Sequence, residues 1–148
     1  MKVPSFQPAT DCPVPPYPLA GVHLAVSGIV NDTVIICGGK CVIITQYKIA
    51  GYSAGAVSKC YLLAQGTWHL HHSLTTGRYA AAASMTGVGW MVSGGKDAAG
   101  TRLSSTEVLT AEGWVPGPPL PEPLSGHCQV TLGDTVIVAG MAGLLWGI

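Results

Sequence analysis

The residues nearest to a recognisable chemical site are the histidines of the run His69-Leu70-His71-His72. If this run is a strand, His69 and His71 share one face, which is an adequate geometry for two metal ligands. No carboxylate or cysteine stands at a matching spacing, however, and protein zinc or copper sites need further ligands. The sequence therefore predicts no metal site and no cofactor, and it predicts histidines that simply meet water.

Catalytic motifs have little support in this sequence. The seven carboxylates are scattered along the chain, and no Gly-x-Ser-x-Gly sequence occurs. The segment Gly87-Val88-Gly89 lacks the third glycine and the following helix of a dinucleotide-binding loop. The histidines and serines can be arranged into a triad on paper, but nothing in the sequence fixes them in space. We therefore expect a protein that is not an enzyme.

The composition argues against several classes of partner. Lysine and arginine together number 7, aspartate and glutamate also 7, and only 9% of the residues are charged. Without net positive charge or a basic cluster, nucleic-acid binding and polybasic membrane contact are not expected. The uncharged stretch 135–148 is too short for membrane insertion as a helix, which needs roughly 20 apolar residues. No signal peptide is visible, and the low charge slightly favours an extracellular over a cytoplasmic protein.

The chain repeats a β-branched run that ends in glycine. The three copies are Val34–Gly39, Trp90–Gly95 and Val136–Gly140. A turn residue stands seven positions before the first terminal glycine of each copy, at Asn31, Gly87 and Gly133. Small residues that tolerate positive φ are typical of tight hairpin turns. The pattern therefore predicts that the same β-hairpin occurs three times.

A tryptophan recurs between these hairpins. Trp68 and Trp114 lie 46 residues apart, and each stands 26 residues before the first glycine of the next copy, Gly94 or Gly140. The glycines themselves are separated by 56 residues from Gly38 to Gly94 and by 46 residues from Gly94 to Gly140. The first unit therefore contains ten extra residues.

A period near 50 with a Gly-Gly strand end, a downstream tryptophan and a proline-rich link resembles the kelch repeat. The residues that carry the resemblance are Gly38, Gly39, Trp68, Gly77-Arg78-Tyr79, Gly94, Gly95, Trp114, Gly126-His127 and Gly140. In kelch proteins each repeat is a four-stranded blade of a β-propeller. The resemblance therefore implies an all-β fold, an incomplete β-propeller of four-stranded antiparallel blades. Paired glycines would let backbones approach closely, and the tryptophans would fill the wedge between blades.

This interpretation divides the chain into four segments. They are a proline-rich segment at 1–20 that would end a preceding blade, a blade at 21–76 with an insertion at 40–59, a second blade at 77–125, and a truncated blade with an atypical tail at 126–148. Propellers typically close with 4–8 blades, so about two and a half repeats predict a fragment or truncated product of a larger protein. A complete small β-protein is the alternative.

The same resemblance implies where a ligand would bind. Arg78 and Tyr79 lie in the link between two blades, a region that kelch-like proteins use for ligand contact. Val22 and His127 are taken as the equivalents of Arg78, so no ring of basic residues is expected. The alternative is that Arg78 is a solvated structural arginine.

Two loops offer further contact residues. The insertion at 40–59 carries Tyr47, Lys48 and Tyr52, and aromatic residues on a loop suit a recognition surface. Arg102 follows the shorter equivalent loop of the second blade. An ordinary surface hairpin is the alternative for the insertion.

Cys41 and Cys60 flank the insertion, and Cys37 ends the strand expected to pair with the one that begins at Cys60. A Cys41–Cys60 disulfide would close the base of the loop and stabilise the fold by roughly 3 kcal/mol. Free buried thiols are an equally supported alternative.

These features together predict a non-enzymatic module that binds a protein or peptide partner. Two alternatives stay open. In the first, the chain is a fragment of a kelch-like propeller enzyme such as a copper-radical oxidase. In the second, it is a truncated chain with no independent activity.

Overall fold

The computed structural model describes residues 17–19, 22–41, 55–140 and 145–147, which form thirteen β-strands and no helix. All strand pairings in these ranges are antiparallel. The prediction of an all-β chain with antiparallel four-stranded sheets is therefore confirmed. Within the described ranges there is no helix that could cross a membrane.

Three successive sheets contain most of the strands. The first sheet has the order β2 (Val26–Val30), β3 (Thr33–Cys37), β5 (Cys60–Ala64) and β6 (Thr67–His71). The second has the order β7 (Ala82–Thr86), β8 (Gly89–Ser93), β9 (Thr106–Thr110) and β10 (Gly113–Pro116). The third has three described strands, β11 (Cys128–Leu132), β12 (Thr135–Ala139) and β13 (Leu145–Gly147). A short separate ladder pairs β1 (Val22–His23) with β4 (Lys40–Cys41).

Tight turns connect the strands because their residues accept positive φ. Asn31 and Asp32, between β2 and β3, have φ values of 48° and 58°, as a two-residue hairpin turn of type I′ requires. Gln65 and Gly66 form the same kind of turn between β5 and β6, with φ values of 51° and 72°. The β-branched runs on either side then pair as hairpins.

The strand register repeats from sheet to sheet. Val26 pairs with Cys37, Ala82 with Ser93, and Cys128 with Ala139, so the first hairpin recurs after 56 and again after 46 residues. Leu63 pairs with Trp68 and Leu109 with Trp114, which are again 46 residues apart. The two spacings of the glycines in the sequence are thus the spacings of the strand pairs.

The paired glycines hold the link between sheets close to the strand ends. Gly39 N–H donates to the Arg78 carbonyl and Gly95 N–H to the Leu124 carbonyl, each at 2.8 Å. The preceding glycines, Gly38 and Gly94, have φ values of 67° and 56°, and a Cβ on either would lie 2.5–2.6 Å from one of those carbonyl oxygens. Only glycine meets both requirements.

Gly140 differs from these glycines. It is not among the described residues with positive φ, and a Cβ there would meet the Leu124 side chain at 3.2 Å rather than a backbone oxygen. Among the described residues, the third hairpin therefore ends without the close backbone contact of the other two.

Buried side chains join neighbouring sheets face to face. The first and second sheets share a cluster of Val26, Ile35, Cys37, Cys60, Leu74, Trp90, Val92 and Leu109. The second and third sheets, with the link between them, share Met91, Val108, Leu120, Val136 and Val138. Burial of these apolar side chains is the main favourable contribution to the stacking of the sheets.

The two recurring tryptophans contact the chain segment that precedes their own sheet. Trp114 Nε1–H donates to the His72 carbonyl at 2.7 Å, and its ring lies 5.9 Å from that of Trp90. Trp68 meets Tyr17 edge to face with ring centroids 5.2 Å apart. Burial beside these rings raises the pKa of Tyr17 to about 12.

The disulfide of the described chain joins Cys60 to Cys37, so the predicted Cys41–Cys60 bridge is wrong. Cys37 and Cys60 are direct cross-strand partners in β3 and β5, with Cα atoms 4.1 Å apart. Cys41 instead pairs with Val22 in the separate β1–β4 ladder. The register therefore selects the cysteine at the strand end rather than the one beyond the glycines.

We expect that non-reducing tryptic mapping finds Cys37 and Cys60 in one linked pair of peptides. Cleavage after Lys40 separates Cys37 from Cys41, so the two possible bridges give different masses. Removing the bridge as Cys37→Ala/Cys60→Ala lowers the free energy of unfolding by roughly 3 kcal/mol, because it frees a loop in the unfolded chain. Cys41→Ser serves as the matched control and leaves the urea midpoint unchanged; a bridge that maps to Cys41 contradicts the register.

Candidate functional site

The loops of the second sheet differ at its two ends. Two-residue turns at 87–88 and 111–112 close one end. The opposite end carries the β8–β9 loop at 94–105 and the link at 72–81, because β7 begins opposite Ser93, where β8 stops. We call this second end the loop end, and functional residues concentrate on such loops when a sheet holds them rigidly.

A small ladder of backbone contacts lies at the loop end. Tyr79 and Lys96 exchange two N–H···O bonds, at 3.0 Å and 2.8 Å, and Lys96 is also bridged to Arg102. Arg102 is exposed, whereas Tyr79 and Lys96 are half-buried. We call these three residues the loop-end ladder; it brings a phenol and two cationic side chains to neighbouring positions.

Asp97 shapes the turn that follows the ladder. Its Oδ1 accepts hydrogen bonds from the backbone N–H groups of Ala99 and Thr101, both at 2.9 Å. Asp97 N–H donates in turn to the Thr101 carbonyl at 3.0 Å. Such a side-chain-to-backbone turn fixes the approach of the chain to Arg102.

Arg78 is 1% exposed, so its predicted role in ligand contact is wrong, and so is the alternative of a solvated arginine. Its guanidinium donates to the carbonyls of Gly94 at 2.8 Å and of Ser105 at 3.0 Å. Further bonds reach the Thr76 carbonyl, the Ser105 hydroxyl and the Glu107 carboxylate. Because the donors of Arg78 are hydrogen-bonded to protein acceptors, its side chain attaches the link at 72–81 to the second sheet.

Glu107 completes this buried site and was not identified from the sequence. Its Oε1 lies 2.7 Å from Arg78 Nη2, and the side chains of the two residues are 1% and 5% exposed. The carboxylate also accepts backbone N–H bonds from Thr75 at 2.6 Å and Thr76 at 3.1 Å. A single glutamate inside an apolar strand was the available signal, since a buried charge needs a partner.

The structure also corrects the alignment of the links between sheets. Leu24, Ala80 and Gly126 all have positive φ, at 58°, 52° and 65°, and are separated by 56 and 46 residues. Ala80 N–H donates to the Leu24 carbonyl and Gly126 N–H to the Ala80 carbonyl. Gly126 is therefore the equivalent of Ala80, and the equivalent of Arg78 in the third unit is Leu124.

His127 is therefore not the equivalent of Arg78. It belongs to a buried polar network between the second and third sheets. Ser93 Oγ donates to Gln129 Oε1 and lies 2.8 Å from His127 Nε2. Because the serine has one proton to give, His127 Nε2 carries the proton of that bond. His127 Nδ1 is buried and has no hydrogen-bond partner among the described residues. Burial lowers the pKa of His127.

The remaining predicted site residues separate into two groups. Tyr47, Lys48 and Tyr52 lie outside the described residues. The ring centroids of His71, at the end of the edge strand β6, and of His72, which follows it, lie 4.8 Å apart. Burial together with the nearby His72 lowers the pKa of His71. In the ranges that the structure describes, three or more histidine, cysteine or acidic side chains are nowhere grouped so that they could hold a metal ion.

Breaking the Arg78–Glu107 pair is expected to destabilise the protein strongly. Arg78→Met leaves a buried carboxylate without its cation, which costs roughly 3–5 kcal/mol in urea unfolding. The double variant Arg78→Met/Glu107→Leu loses less than the sum of the two single variants because neither charge is then left alone. Arg102→Met is the matched control at an exposed arginine and changes stability by at most about 0.5 kcal/mol. If the stability loss of the double variant equals the sum of the losses of the two single variants, the pair is not coupled.

The free energy of unfolding is expected to decrease when the pH is lowered below 6.5, the ordinary pKa of histidine. The folded pKa of His127 lies below the unfolded one, so the unfolded chain binds more protons as the pH decreases. The contribution of neutral His127 to the free energy of unfolding is therefore complete above pH 6.5 and is lost at lower pH. His127→Gln keeps a donor toward Ser93 and flattens the profile, measured in a His71→Asn background because the pKa of His71 is lowered too. An unchanged slope in the glutamine variant contradicts the assignment.

Comparison with known proteins gives a likeness of fold. No family model matches the sequence, and no curated protein is significantly similar to it. The chain is similar to the solved structure of YjhT, with a TM-score of 0.64 and 21% sequence identity. The match covers 86% of this chain and 36% of that one, so the chain spans little more than a third of its structural relative. At this identity the similarity shows the fold alone.

Proposed function

We propose that this chain supplies consecutive blades of a larger kelch-type β-propeller and acts as a non-enzymatic protein-interaction module. The observation that carries the proposal is the repeated register of the three sheets, joined by the same backbone bonds at each link. Gly39 to Arg78 and Gly95 to Leu124 are equivalent bonds at equivalent positions. Stacked copies of one sheet, each contacting its neighbours, are typical of repeat architectures.

The innermost strands of the proposed blades lie side by side. The first strand of the second sheet, β7, neighbours both β2 and β11, the first strands of the other sheets. Ser84 on β7 and Thr131 on β11 are joined by a hydroxyl–hydroxyl bond of 2.8 Å. Gln129 on β11 donates to the same serine at 2.8 Å. First strands gathered along one line are what a radial arrangement requires.

The loop-end ladder is the proposed contact surface for a protein or peptide partner. It combines an exposed arginine with a neighbouring lysine and tyrosine, and arginine and tyrosine are common among the residues that dominate binding energy. The Asp97 turn and the sheet beneath hold these residues in place, which lowers the entropy lost on binding. The low overall charge disfavours nucleic acid as the partner.

The disulfide supports an exported protein. Cys37 and Cys60 are fully buried and joined across adjacent strands. Disulfides of this kind form and persist in oxidising compartments. The proposed partner is therefore an extracellular or envelope protein or peptide.

A peptide-display selection on the folded chain tests the proposed binding surface. Selected peptides are expected to bind Lys96→Ala/Arg102→Ala at least about tenfold more weakly, since the variant removes both cations of the loop-end ladder. The matched control is Val88→Ala, an exposed residue of the turn at the opposite end of the same sheet. Binding that survives the double variant, or that weakens equally in the control, contradicts the assignment.

A further inference from the structure

The two outer faces of the three-sheet stack are apolar and open. On the third sheet, Cys128, Val130 and Leu132 of β11 are exposed, and the last two show 57% and 71% of their surface. On the first sheet, Ile29 and Leu70 are 65% and 63% exposed. No sheet of the described chain covers either face.

The outer faces also contain repeats of positions that are buried inside the stack. Val34 on the first sheet is 39% exposed, whereas its equivalents Trp90 and Val136 are 2% and 4% exposed. Val130 on the third sheet is the equivalent of Gly28, where a Cβ would lie 2.6 Å from Trp90 Nε1. Each outer face is therefore one half of the sheet-to-sheet contact that occurs twice within the molecule.

The two open faces are complementary to each other rather than identical. In the interior, the face of one sheet that bears Gly28 or Ser84 always meets the face of the next that bears Trp90 or Val136. The third sheet presents the first kind of face, and the first sheet presents the second kind. Association of these two faces is consequently head-to-tail.

Charge does not oppose this pairing. The face of the third sheet consists of Cys128, Val130, Leu132, Thr135, Ile137 and Ala139. The face of the first sheet consists of Ser27, Ile29, Val34, Ile36, Tyr61, Leu63, Trp68 and Leu70. Neither set contains a charged residue, so docking buries no unpaired ion.

We infer that a second copy of this chain docks on these faces, the third sheet of each copy packing against the first sheet of the other. This inference rests on the proposed propeller arrangement. Two copies bring six sheets together, which is within the typical range of about 4–8 blades for a closed ring. A two-copy ring covers both open faces of both chains and continues the interface that already exists between the sheets.

Tyr17 leaves most of the first sheet's face uncovered by the described residues. Its ring covers one end, against Tyr61 and Trp68. Between the first and second sheets His72 occupies the corresponding place on Trp114. A neighbouring sheet is therefore accommodated beside such a contact.

Sedimentation velocity of the full chain tests the inference. The wild-type protein is expected at twice the chain mass of 15.2 kDa. Leu132→Lys and Val34→Lys each place a cation on one face and are expected to sediment at the mass of a single chain. The matched control, Val88→Lys, lies in an exposed turn away from both faces and keeps the double mass. Thermal melts establish that each variant is folded.

Mixing the two face variants distinguishes head-to-tail pairing from unspecific association. In a mixed pair, one contact contains both lysines and the other contains none, so an equimolar mixture regains the double mass at higher concentration. The Cys128 thiol supplies a second readout, since it lies on the docked face. Its alkylation is expected to be at least about tenfold slower in the wild-type pair than in Leu132→Lys.

A wild-type chain that stays single at every concentration overturns the inference, as does an open series of larger assemblies. Sensitivity to only one of the two face variants overturns it too, because it points to like faces pairing. If the single chain still binds peptides at the loop-end ladder, the proposed function survives while the second copy is excluded. Further sheets beyond the three described here would then be the occupant.

Discussion

The buried ion pair of Arg78 and Glu107 is the contact on which the placement of the first two sheets depends. Arg78 lies in the link that follows the first sheet, its carbonyl accepts the Gly39 N–H, and its guanidinium reaches the ends of β8 and β9. Glu107 receives that guanidinium together with two backbone N–H groups of the link. A charged pair in an apolar setting tolerates little displacement, because either member left alone is costly. The link and both sheets are therefore held in one relative position.

Small and large residues alternate around this fixed point. A Cβ on Gly28 would lie 2.6 Å from Trp90 Nε1, so only glycine leaves room for the indole at this place in the first sheet. The equivalent place between the second and third sheets contains Ser84 and Val136, and hydroxyl and amide groups contribute to the contact there. The same architecture is thus stabilised by an aromatic contact at one interface and by a polar network at the next. The outermost copies of these positions remain exposed, which gives the stack its two apolar faces.

The repeated elements were predictable from the sequence because their signals are local. Glycine at the strand ends, turn residues seven positions earlier and tryptophans at fixed spacing each reflect a backbone or packing requirement of a single hairpin. The burial of Arg78 was not predictable in this way, because Glu107 is 29 residues away and only the fold brings the two together. The Cys37–Cys60 bridge was missed because Cys41 and Cys60 flank the insertion, whereas strand register decided the pairing. His127 was misaligned because Gly126-His127 resembles Gly77-Arg78, although the equivalent backbone positions are Gly126 and Ala80.

In the proposed propeller, the three sheets are steps of one rotation around a common axis. Asp32, Val88 and Asp134 are exposed turn residues at equivalent positions of the three sheets. Spin labels attached there through unnatural amino acids, which leave the native cysteines unlabelled, report the three distances by double electron–electron resonance. Rotation around one axis predicts equal distances from 32 to 88 and from 88 to 134, and a distance from 32 to 134 that is clearly shorter than their sum. Unequal neighbour distances, or a long distance equal to the sum as in a straight stack, would contradict it.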